Sequence, residues 1–147
     1  MATPVTTAGY SGTPLPKKLG IVAGSRVVAL RAPASFLETT LRPLPEDVRV
    51  LMRLAPAVDV VVLFATERRH IESRLGDVRN ALTAAGGFWI AWPKRSSKVP
   101  TEITEDVLRE MLLPTGLVDN KVCAIDETWS GLRFVLRREL RPVGRSA

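Results

Sequence analysis

Apolar positions along this chain follow two rhythms. Val58 to Ala65 (VDVVVLFA) is nearly unbroken, as expected of a central strand covered on both faces. Val48, Val50 and Met52 alternate with Arg49 and Arg53, the period of a strand. Ile71, Leu75, Val78 and Leu82 recur at spacings of four, three and four, which is a helical stripe. The pattern predicts strands over 25–31, 48–54, 58–65, 88–92, 117–125 and 132–140. Leu15, Leu19 and Ile21 suit a short helix after Pro14 or Pro16.

Helices are expected over 34–41, from Thr66 to about Ala84, and from Thr104 onward. Pro43 and Pro45 end the first. Thr66 is the expected cap of the second, which Gly86 and Gly87 close. Thr104 caps the third, with Glu105 and Asp106 in its first turn and Ile103 and Leu108 at staple spacing. Pro114 and Gly116 stop it. The link from Asp126 to Gly131 is too short for a parallel crossover, which needs roughly a dozen residues, so the last two strands are read as antiparallel. The fold class is α/β: a three-layer domain on a mostly parallel six-stranded sheet, expected order 2-1-3-4-6-5, with a terminal antiparallel strand pair.

Composition narrows this picture. A chain of 147 residues is one domain by size. The expected division is a disordered tail over 1–9, a single domain over 10–140 and a basic tail over 141–147. Cys123 is the lone cysteine, so an internal disulfide and a multi-cysteine metal site are excluded; its apolar strand context makes it a packing residue. His70, the lone histidine, falls on the polar side of its expected helix and is read as a surface residue. No metal site is expected. Neither a membrane span nor a secretion signal is visible, and the default location is the cytoplasm.

The net charge of +6 is uneven. Arg133, Arg137, Arg138, Arg141 and Arg145 face only Glu139 near the carboxyl end. A basic strand and tail of this kind suits nucleic acid or an acidic protein. Arginine outweighs lysine in an alanine- and valine-rich chain, a bias that weakens the nucleic-acid reading.

The segments VDVVVLFAT, LTAAGGFWIAWPK and GLVDNKVCAIDETWSGLRFVLRRE, with helices between them, resemble the class I methyltransferase variation of the Rossmann fold. The stretches YSGTPLPKKLGI, WPK to VPTEITEDV, and KVCAIDETWSGLRFV are similar to the uncharacterised domain of unknown function 3052 family, found mainly in actinobacteria. The first resemblance implies a glycine-rich cofactor turn after strand one and an acid ending strand two. Here those positions read Arg31-Ala32-Pro33-Ala34-Ser35 and Arg53-Leu54-Ala55-Pro56. These departures weigh against S-adenosylmethionine in its usual mode, and no cofactor is expected.

Ligands of open parallel sheets lie beyond the carboxyl ends of the strands, where strand order reverses. Three loops meet there. They bring Arg31, Ser35, Thr66, Arg68, Lys94, Arg95, Ser96, Ser97 and Lys98 to one basic, hydroxyl-bearing rim suited to an anion. Trp129, Arg133, Arg137 and Arg138 are the candidates for contact with a partner. The expected function is a non-catalytic binding or regulatory protein on a degenerate methyltransferase-like scaffold, its rim holding an anionic ligand or an acidic protein segment. The alternatives are an enzyme with an atypical nucleotide-type cofactor and nucleic-acid binding through the basic end.

Overall fold

A computed structural model describes residues 13–141. The expected 1–9 tail and all but the first residue of the 141–147 tail lie outside the described residues.

Six strands form one sheet: β1 (Arg26–Leu30), β2 (Arg49–Leu51), β3 (Val58–Phe64), β4 (Leu82–Pro93), β5 (Leu117–Ala124) and β6 (Trp129–Leu136). Their order is β2-β1-β3-β4-β6-β5. The sheet is mixed rather than mostly parallel. β1 pairs in parallel with β2 and β3, and β3 with β4. β6 enters antiparallel between β4 and β5, so both of its pairings are antiparallel.

Alternation along β3 sends side chains to two cores. Val61 and Leu63 join Phe88, Ile90, Ile71, Val78 and Leu108 under the helices of one face. Val60, Val62 and Phe64 join Trp89, Phe36 and Leu19 on the other. Trp89 and Trp92, three apart in β4, fall in opposite cores, as strand geometry requires. The second face is covered by the short helix α1 (Leu15–Lys18), the chain that follows it, and a single π-helical turn over Phe36–Thr40. That turn stands where a short helix over 34–41 was expected.

The helix expected over 66–84 is two pieces, α2 (Arg68–Glu72) and α3 (Leu75–Ala81), and the chain is extended from Leu82. Gly86 and Gly87 lie inside β4 and end no helix. Their role is close packing. A Cβ on Gly86 would stand 3.0 Å from Leu82 Cδ2, and one on Gly87 would stand 2.5 Å from Arg133 Nε. β2 is shorter than expected because its register with β1 ends at Leu51.

The last helix, α4 (Glu105–Leu112), matches its capping signals. Thr104 Oγ1 accepts a hydrogen bond from Val107 N at 3.1 Å, and both Ile103 and Leu108 are buried. Arg109 ties the helix to β5 through Asp119 at 3.1 Å. Thr104→Ala is expected to cost about 1 kcal/mol of stability, read as a lower urea midpoint at unchanged slope.

Cys123 is half-buried against the second core, and burial pushes its thiol above the ordinary value. Among the described residues no helix is long and apolar enough to cross a membrane.

Candidate functional site

The loops after β1, β3 and β4 sit at the carboxyl ends of the parallel strands. Arg31, the first residue past β1, has a φ of 58°. This left-handed backbone is the one a glycine ordinarily supplies. The sharp exit from β1 is therefore made without glycine, and it carries a guanidinium group.

Beside it stands the amino end of α2. His70 is 7% exposed, so the expected surface histidine is a buried one. Its Nδ1 accepts hydrogen bonds from Thr66 N at 3.2 Å and Glu67 N at 3.3 Å. A ring accepting at Nδ1 is neutral and carries its proton on Nε2. Burial, and then the nearby Arg31 charge, hold the His70 pKa below its ordinary value. Glu67 Oε1 meets Arg69 Nε at 2.6 Å; that bond, with Arg31 contributing, lowers the Glu67 carboxyl.

The sequence carries a signal for this. A side chain three residues after a helix cap reaches back to the cap's N–H. Placing the cap at Thr66 hides His70, whereas the true cap is Glu67. As the third residue of α2, His70 is turned back onto the Thr66 and Glu67 N–H groups and is buried there.

The expected rim divides into two parts. Arg31 joins Glu67 and His70. Thr66 contributes backbone: its carbonyl accepts from Thr101 Oγ1 at 2.8 Å and from Glu102 N at 3.1 Å. Arg68 is neutralised, its N–H bound to Glu102 Oε2 and its guanidinium to Glu110, both at 3.0 Å. Ser35 is exposed at the start of the π turn. Lys94, Arg95 and Lys98 line a separate cavity of about 520 Å³, together with Trp92, Thr101 and Glu105. Ser97 is used within that loop, where its hydroxyl donates to Lys94 O at 2.7 Å and accepts from Val99 N at 3.2 Å. Ser96 is exposed.

Among the described residues, the arginines read as a basic face at the carboxyl end differ in exposure. Arg133 lies against Gly87 with its Nε buried. Arg137 donates to Leu113 O at 3.3 Å, and Arg141 to Leu136 O at 3.0 Å. Arg138 alone among the three partner-contact arginines is exposed. Trp129 is half-buried with its ring edge-on to Phe64, centroids 5.0 Å apart, so it closes the second core.

No family model matches the chain, and no curated protein does. Solved structures do. The fold is similar to that of ribosomal protein L11 methylase from Lactobacillus delbrueckii subsp. bulgaricus, at 8% identity and a TM-score of 0.57 over 84% of this chain and 76% of that one. It is similar to a SAM-dependent methyltransferase from Aquifex aeolicus, at 16% identity and a TM-score of 0.54 over 82% and 86%. A structure described as a DhpI–SAH complex matches at 12% identity and a TM-score of 0.55 over 85% and 83%. These likenesses establish a methyltransferase-like α/β fold. They also overturn the expectations of a non-catalytic protein and of no cofactor. Both rested on the missing glycine turn and the missing acid after β2; Arg31 supplies a left-handed φ in that turn, and the similar structures include a SAM-dependent methyltransferase and one described as a DhpI–SAH complex.

Proposed function

We propose that the protein binds an S-adenosylmethionine-type ligand at the carboxyl ends of β1 and β3 and acts as a methyltransferase. The observation carrying this reading is the left-handed turn at Arg31, at the point where strand order reverses from β1 to β3. The turn lets the chain leave β1 sharply, and its guanidinium suits the ligand's carboxylate. When bound, that ligand supplies a methyl group on a sulfonium centre.

The residues fit the amino-acid end of such a ligand best. The chain after β2 offers Met52, Arg53 and Leu54 in place of an acid, so ribose hydroxyls need other partners. The neutral His70 and the paired Glu67 hold the α2 end in place beside Arg31. The basic cavity of Lys94, Arg95 and Lys98 is where an acceptor bearing negative charge would sit. The similarity to the domain of unknown function 3052 family adds no activity to this reading.

S-adenosylhomocysteine at one hundred times its dissociation constant is expected to stabilise the chain by ~2.7 kcal/mol, which raises the melting midpoint by roughly 5–15 °C. Arg31→Ala is expected to weaken that binding about tenfold or more, as loss of a charged hydrogen bond does. If neither S-adenosylmethionine nor S-adenosylhomocysteine moves the midpoint, the reading is wrong.

A further inference from the structure

The opposite end of the sheet holds a feature that the proposed activity does not use. Arg133 extends from β6 across β4 on the face that carries Trp89. Its Nε is the one buried side-chain nitrogen or oxygen without a hydrogen-bond partner among the described residues. Leaving such a group unpaired is costly, and costlier when it carries charge. No ion pair of Arg133 offsets that cost among the described residues.

The position of the guanidinium is built into the sheet. A Cβ on Gly87 would stand 2.5 Å from Nε and 3.0 Å from both Cζ and Nη2. Glycine at 87 therefore admits the guanidinium against the strand backbone. Arg133 helps line a cavity of about 200 Å³ at the amino ends of β1 and β3, with Gly24, Ser25, Asp59, Thr83 and Gly86. That is room for a few heavy atoms, a water occupying ~30 Å³ of liquid. Burial, and then the charge of Arg141, disfavour the protonated form of Arg133, a burden that a bound anion relieves. Asp59, also in the cavity wall, is engaged by Arg26 N at 2.9 Å. Its negative charge limits how much further negative charge the cavity accepts.

We infer that this cavity is a binding site for a small carboxylate, held by the Arg133 guanidinium. Nε is closed to solvent, so a carboxylate takes the paired terminal N–H donors of the guanidinium, and a single negative charge suits a cavity that already contains Asp59. The site is remote from the Arg31 turn, and its test is independent of the adenosyl ligand.

The test is a titration of the purified full chain with sodium acetate and, separately, with sodium phosphate at constant ionic strength. It is read by nuclear magnetic resonance at the Arg133 Nε–H and the Gly24, Gly86 and Gly87 amides. Acetate is expected to give saturable shifts at these groups. Arg133→Met removes them, and Gly87→Ala, which displaces the guanidinium while keeping its charge, weakens binding about tenfold or more. Saturation by phosphate with no response to acetate would overturn the carboxylate assignment. Shifts in the wild-type chain that stay linear with both salts, or that persist in Arg133→Met, would overturn the site. The wild-type titration decides the matter even where a variant fails to fold.

Discussion

Trp89→Ala is expected to lower stability by roughly 3–5 kcal/mol, the cost of truncating a large buried aromatic in a core that relaxes only partly. Trp89 is fully buried among Leu19, Phe36, Phe64 and Ala91. Its Nε1 also donates to Leu19 O at 2.9 Å, which holds the segment after α1 against the sheet. The substitution removes both the packing and the only indole bond to that segment among the described residues. Against a typical total of ~5–15 kcal/mol, this loss is a large fraction. Urea unfolding should show a midpoint shift of that size at unchanged slope. Trp89→Phe, which keeps a ring and loses the N–H bond, should cost less than half as much. Equal losses in the two variants would mean that the hydrogen bond, not the packing, anchors the amino-terminal segment.

His70→Ala is expected to cost roughly 2–4 kcal/mol, because it empties a buried position and leaves the Thr66 and Glu67 N–H groups without their acceptor. The wild-type residue also makes stability depend on pH. The unfolded histidine titrates near its ordinary value of 6.5, and the folded one below it. Between the two values the unfolded chain binds the proton and the folded chain does not, so stability falls as pH drops through 6.5. The steepest slope from one such group is ~1.4 kcal/mol per pH unit. Stability is fully present above the unfolded value and declines toward the folded one. Urea midpoints of the wild type and His70→Ala, measured across this window, should converge as the pH falls. Parallel curves would show that folding does not lower the His70 pKa.

The alternation in β3, the buried run that makes it central, and the capping signals of α4 all follow from local rules, and they appear in the structure as read. The short link before β6 forced an antiparallel hairpin by its length alone. These features depend on neighbours within a few residues, so the amino-acid order carries them directly.

What escaped the sequence depended on contacts between distant residues. Gly86 and Gly87 look like a helix stop, yet Gly87 is glycine because Arg133, forty-six positions away, crosses it. His70 looks like a surface residue until the Glu67 cap turns its ring back onto the Thr66 and Glu67 N–H groups and buries it. The missing glycines after β1 looked like a lost cofactor turn, yet Arg31 takes the same left-handed backbone, a conformation its residue type does not announce. Local periodicity and capping by themselves determined the six strands in outline, the α4 helix and the layered α/β class. The buried histidine, the left-handed turn at Arg31 and the packing of Arg133 against Gly87 were decided only by tertiary packing, which sets burial, close approach and backbone strain through residues far apart in the chain.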